Sequence, residues 1–127
     1  MPPMEVTQIG KDENGAPVFR AVETSAANTA LSANLSLGAP AKILHAQATY
    51  NAPPTQAGVA VILDSGAGAN YDSTLMAGTA NSRYNNYTPE GGELQLGADD
   101  GLRITAPAGG AGIVCAVSIT LKQTKHV

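Results

Sequence analysis

The side chains able to do acid–base or metal chemistry in this chain are few and scattered. His45 falls inside an alternating apolar stretch, and the other histidine, His126, stands near the C-terminus. A catalytic base needs a nucleophile or carboxylate beside it, and a metal site needs ligands at short, fixed spacing. Two histidines so far apart meet neither condition. Asp64 and Asp72 bracket the Gly66–Asn70 loop, and Asp99 and Asp100 sit side by side in a second turn. Oxygen-rich loops of this kind are the raw material of calcium sites, and paired carboxylates are the machinery of glycoside hydrolysis. The spacing departs from a twelve-residue calcium loop, however, and Asp-Gly turns form without an ion.

Cys115 is the only cysteine, which excludes an intramolecular disulfide. Set among Ile113, Val114, Ala116 and Val117, it reads as a small buried thiol. The glycine runs at Ser65–Ala69 and Ala108–Gly112 lack both the dinucleotide spacing and the phosphate-loop lysine, and neither opens an amphipathic helix. They read as sheet connections. With no catalytic constellation, the chain is expected to be noncatalytic and to carry neither metal nor cofactor.

The residues best suited to recognition are Tyr84–Asn85–Asn86–Tyr87, with Tyr71 and Arg83 nearby. Tyrosine offers rigid contact area with a polar tip, and asparagine offers adaptable hydrogen bonds. This stretch fits a glycan or subunit contact. Its bland reading is a long loop whose tyrosines close the end of a thin core.

Such residues must be held by strands. Leu31, Ala33, Leu35 and Leu37 alternate with Ser32, Asn34 and Ser36, a period of two with one buried face. Along Ala41–Tyr50, strict alternation puts Ile43, His45 and Gln47 on one side and Leu44, Ala46, Ala48 and Tyr50 on the other. Val59–Leu63 is apolar at successive positions, which places it centrally, with a second apolar face available to a partner. Leu94 with Leu96, then Leu102 with Ile104, give short strands around an Asp-Gly turn. In the last strand Ile113, Cys115, Val117, Ile119 and Leu121 share the core face, opposite Ser118, Thr120 and Lys122. At the other end, Glu5–Ile9 and Val18–Val22 are expected to form a hairpin through the Asn14-Gly15 turn.

The resulting fold class is all-β: an antiparallel β-sandwich, jelly-roll-like, of eight or nine short strands, with an immunoglobulin-like order as the open alternative. Residues 1–30 form an N-terminal hairpin or arm in subunit contact, and residues 31–127 form the sandwich. A chain of 127 residues suits one core, but with one Phe and no Trp that core is thin and gains from cover by partner subunits. Charged residues are only 13% of the chain, and the formal net charge of −3 argues against direct nucleic-acid binding. No apolar stretch approaches the roughly 20 residues of a membrane span, so no membrane insertion is expected.

The segments VAVILDSGAGANYDSTL, YTPEGGELQLGADDGLRITAPAG and GIVCAVSITLKQ together resemble a recurring kind of small β-rich structural protein of tailed bacteriophage virions. The likeness runs from Val59 to Leu121, about half the chain. It implies synthesis in a host cytoplasm and residence on the virion, on its outer surface. It also implies a role as a capsid decoration or cementing subunit, with a homo-oligomer and the major capsid protein or another virion component as partners. Phe19, Leu31, Ile62, Tyr84 and Tyr87 are the contact residues expected on that reading. The alternative is a carbohydrate-binding or receptor-binding module on a virion spike, neck or tail, for which Tyr84 and Tyr87 must both face solvent and touch the glycan.

Overall fold

The computed structural model describes residues 5–11, 13, 15–35, 40–55, 59–66, 68, 70, 72–78, 83–89 and 94–123. Asn14, Ser36, Leu37, Tyr71 and His126, all named above, lie outside them. The strands are β1 (Glu5–Lys11), β2 (Pro17–Thr24), β3 (Leu31–Leu35), β4 (Ala41–Tyr50) and β5 (Ala60–Asp64). They continue as β6 (Ser73–Ala77), β7 (Tyr84–Tyr87), β8 (Leu94–Leu96), β9 (Gly101–Ala106) and β10 (Cys115–Gln123). No helix among the described residues is long and apolar enough to cross a membrane.

Two antiparallel sheets result. The larger runs β1-β2-β10-β4-β7, with β8 also paired to β4, and the smaller runs β3-β9-β5-β6. From β2 onward the chain passes repeatedly from one sheet to the other, and the last strand closes between β2 and β4. This is a jelly-roll-like β-sandwich, with β1 and β8 as additions to its edges. The immunoglobulin-like alternative falls away, because the first and last long strands are neighbours in one sheet.

The hairpin expected at the N-terminus is present. Gly15 supplies a positive φ of 81° at its turn. β2 pairs with β1 on one side and runs in seven-residue register with β10 on the other. Ala21, fully buried, belongs to the common core.

The alternating strands fold as their patterns require. β3 and β9 place Leu31, Ala33, Leu35, Leu102, Ile104 and Ala106 inward, and β10 adds Cys115, Val117, Ile119 and Leu121. The core is thin, as its composition demands: Ala21, Ala33, Ala46 and Ala48 are all completely buried between larger aliphatics. Small residues facing large ones let the two sheets approach without cavities. Ile113 is only half-buried. It precedes β10, and its N–H donates to the Gly110 carbonyl at 3.0 Å in a turn, so it packs against the core without being part of the strand.

Two local departures matter. In β4, Thr120 of β10 faces His45 whereas Leu121 faces Ile43, leaving Leu44 as an extra residue. This bulge shifts the alternation, so Ile43 turns inward together with Ala46, Ala48 and Tyr50, and His45 and Gln47 stay on the other side. Strict alternation therefore assigned Ile43 to the wrong face. In β5, Val61 is fully buried but Ile62, on the opposite face, is only partly covered.

Candidate functional site

The outward face of the larger sheet is built from the residues that alternate with the core. Across β7, β4, β10 and β2 the register aligns Tyr84, Thr49, Ala116 and Thr24 in one row. The next row holds Asn86, Gln47, Ser118 and Val22, and the next His45, Thr120 and Arg20. Gln95, Lys42, Lys122 and Val18 follow. Short polar side chains dominate, and several hold one another in place. Arg20 Nε donates to Ser118 Oγ at 2.9 Å, Gln47 Nε2 donates to Thr49 Oγ1 at 2.9 Å, and His45 Nδ1 lies 3.1 Å from Thr88 Oγ1. Pre-bonded side chains lose little rotamer freedom when a polar ligand arrives.

Tyr84 stands at the margin of this face with 58% of its surface exposed. Beside it is Arg83, whose Nε donates to the Tyr50 carbonyl at 3.0 Å and whose guanidinium carbon lies 5.2 Å from the Tyr84 ring centroid. The Tyr50 N–H returns a bond to the Arg83 carbonyl at 2.9 Å. An exposed aromatic ring is a surface suited to the apolar face of a sugar.

The expected contact residues are dispersed. Tyr87 pairs with Ala46 and Asn85 with Ala48, so both lie on the core side of β7. Tyr87 is half-buried against the core and Asn85 is buried. Tyr84 and Tyr87 are an odd number of residues apart and therefore face opposite ways, which corrects the expectation that both are presented to solvent. Leu31 is a core residue, 4% exposed, which removes it from the protomer's contact surface. Phe19, opposite Leu121, packs partly buried against the protomer's own core. Ile62 lies on the outward face of the smaller sheet, in register with Arg103 and Thr74. Asn86, named in the sequence for recognition, shares this outward face with Tyr84, whereas Arg20, Thr49 and Ser118 on the same face were not singled out there as contact residues. Their signal was the polar half of each strand's alternation.

The acidic turns meet at one end of the smaller sheet, around a cavity of about 340 Å³ lined by Asn34, Asp64, Ser65 and Asp99 among others. Its carboxylates serve the backbone. Asp100 accepts the Gly66 N–H at 2.9 Å and the Gly97 N–H at 2.8 Å, which holds its carboxyl below the usual range. Asp72 accepts the Ser65 N–H at 2.8 Å, and Arg103 lies 3.9 Å from both Asp64 and Asp72. Glycine is required at position 66, since a Cβ there would lie 2.6 Å from the Asp99 carbonyl oxygen. Among the described residues no group of three or more His, Cys, Asp or Glu is placed to hold a metal ion.

Cys115 is buried, and burial pushes its thiol pKa up, away from reactivity. Its neighbour Tyr50 is raised to about 12 by burial first and the adjacent Cys115 second. The buried Tyr50 hydroxyl makes no well-formed hydrogen bond, and the polar group beside it is the Cys115 thiol, a weak partner at best.

No protein-family model and no curated protein matches the chain. Among solved structures it is similar to the N-terminal endo-1,4-beta-D-xylanase 10B of Clostridium thermocellum, whose CBM22-1 and GH10 modules were determined with xylohexaose. That likeness has 11% identity and a TM-score of 0.36, covering 98% of this chain and 25% of that one. A second is the virus-like particle of the extra small virus of the giant freshwater prawn Macrobrachium rosenbergii. There the identity is 17% and the TM-score 0.28, with 98% of this chain and 88% of that one covered. The chain thus spans about a quarter of the xylanase chain, and neither likeness carries a function. The class is defined by the fold itself: a small all-β, two-sheet sandwich.

Proposed function

We propose that this protein is a noncatalytic glycan-binding sandwich module whose ligand lies across the outward face of the larger sheet. The observation that carries this reading is the alignment of Tyr84, Thr49, Gln47, Asn86 and Ser118 on one face. It combines an exposed ring with pre-bonded hydroxyl and amide groups of the kind that pair with sugar hydroxyls. Affinity electrophoresis in gels cast with a panel of neutral and acidic polysaccharides tests it. At least one polymer is expected to retard the protein, and Tyr84→Ala is expected to weaken that retardation about tenfold while leaving thermal unfolding nearly unchanged. No retardation by any polymer, or full retention by Tyr84→Ala, would remove the reading.

A second reading, a virion subunit joined to its copies and to the capsid at the particle's outer surface, is favoured by the open edge at β1. Among the described residues β1 pairs with β2 alone, and Ile9 on it is 56% exposed. An unpaired edge is a template for another strand. Cryo-EM of assembled particles is expected to find the protein arrayed on the head. Density confined to the tail, or none, would defeat the decoration role. A glycan-binding face and an assembly edge lie on different strands, so one virion spike module could carry both.

A further inference from the structure

The edge strands of the two sheets are not alike. β7, β8, β3 and β6 run for four, three, five and five residues, whereas β1 runs for seven. Short strands and charged side chains are the usual guards of a sheet edge. β1 has neither guard along its middle: Val6–Gly10 carries no charge, and Glu5 and Lys11 stand at its two ends.

β1 is also poorly covered by its own protomer. The smaller sheet ends at β3, which adjoins β2, so β1 extends the larger sheet past it. Thr7–Lys11 are all exposed, Gln8 included, although Gln8 pairs with Phe19 on the inward side. A strand seated on a core hides every second residue, and this stretch hides none. Between Gln8 and Gly10 the register slips by one, leaving Ile9 as the extra residue, 56% exposed. A bulge re-aims a side chain, and here it presents an isoleucine at the middle of an open edge. Val22, on the neighbouring β2, is 38% exposed, so two of the three exposed large apolar residues described belong to this hairpin. Ordering a strand costs conformational entropy that so little burial does not offset.

We propose that a second copy of this chain covers that edge, β1 against β1, antiparallel about a two-fold axis near Gln8. The inference deepens the virion reading, with which it shares the open edge. Charge selects this occupant and this direction. An antiparallel copy brings the Glu5 end of each strand beside the Lys11 end of the other, twice over, whereas a parallel one sets like ends together. Glu13, in the turn beyond Lys11, falls past the start of the other copy's strand, and Asp12 lies outside the described residues. Close to the axis, the Ile9 residues of the two copies come within reach of each other. One surface meets itself, as a two-fold pair requires, and the two larger sheets join edge to edge. A single ladder is a narrow contact beside a standard interface of about 800 Å² per partner, so the dimer is expected to be reversible.

Sedimentation velocity on the whole chain, between about 5 and about 500 µM, tests the pairing. The mass is expected to climb from the 12.8 kDa of one chain toward twice that value. Ile9→Lys is expected to weaken association about tenfold or more while leaving urea unfolding of the protomer unchanged. Lys11→Glu is expected to weaken it severalfold, and Glu5→Lys added to Lys11→Glu to restore it, since the ends are then complementary again. Gln8→Cys is expected to give a disulfide-linked dimer under mild oxidation, whereas Ser32→Cys on the smaller sheet is not; the buried Cys115 does not compete. A monomer at every concentration would overturn the pairing and leave the edge to a different chain, with the virion reading intact if the protein is found on the head. A dimer that survives Ile9→Lys and does not cross-link through Gln8→Cys would overturn it too, since the copies then meet elsewhere. The expected dimer, from a protein absent from particles, would uphold the pairing and defeat the virion reading alone.

Discussion

The two outward faces of the sandwich make an instructive pair. Both arise from the same alternation, every second residue of a strand being turned away from a shared core. On the smaller sheet the cation, Arg103, is bracketed by Asp64 and Asp72, and the neighbouring positions are Ile62, Thr74 and Thr105. Its charge is answered within the protomer. On the larger sheet Lys122 stands opposite Lys42 in the ladder, and Arg20 donates to the Ser118 hydroxyl. One face is centred on an arginine between two carboxylates, whereas the other is a broad polar surface beside an exposed ring. The contrast teaches that function in such a fold is written on the half of each strand that the core does not constrain.

The strongest way to break this comparison is through the core that both faces share. Ile119 of β10 and Ile104 of β9 are both fully buried. Ile119→Ala and Ile104→Ala are each expected to cost about 2–5 kcal/mol in urea unfolding, through lost burial and a residual cavity. Equal costs would confirm one cooperative core. A small cost for one alone would mean that its sheet is loosely held and that the two faces belong to separable layers.

A smaller effect separates the layers by pH. Tyr50 of β4 is raised to about 12 in the folded state, against about 10 when unfolded. A raised pKa on an acid means the neutral form is favoured by folding. This contribution is therefore complete below about pH 10 and lost as pH climbs through about 12. Tyr50→Phe is expected to flatten that alkaline decline and, by deleting a buried hydroxyl whose polar neighbour is only the weakly bonding Cys115 thiol, to leave stability at pH 7 nearly unchanged. A marked loss at pH 7 would show that the hydroxyl makes a needed contact.

The smallest effect belongs to the balanced face. Arg103→Gln is expected to cost under about 1 kcal/mol, less at high salt, because Arg103 and Asp64 are substantially exposed. It should leave glycan binding untouched. A loss of binding would place the ligand on the smaller sheet and invert the comparison.

Much of this molecule follows from the chain read in isolation. The period of two in Leu31–Leu35, Leu102–Ile104 and Cys115–Leu121 determined which side chains are buried, because a strand offers only two faces and water excludes one kind of residue from the core. Gly15, free to take a positive φ, let the chain reverse into the N-terminal hairpin for an equally local reason. The separation of Tyr84 from Tyr87 was not read there, because it follows only once pairing with β4 makes that stretch a strand, on which residues three apart cannot share a face. Other features waited on long-range pairing. The bulge at Leu44 exists because Thr120 and Leu121, far along the chain, hold His45 and Ile43 with one residue between them. The jelly-roll order, rather than the immunoglobulin one, was decided by β10 inserting between β2 and β4. The meeting of Arg20, Lys42 and Lys122 has the same origin. Local rules act over a few residues, and no such rule relates positions about a hundred residues apart until a sheet places them in adjacent rows.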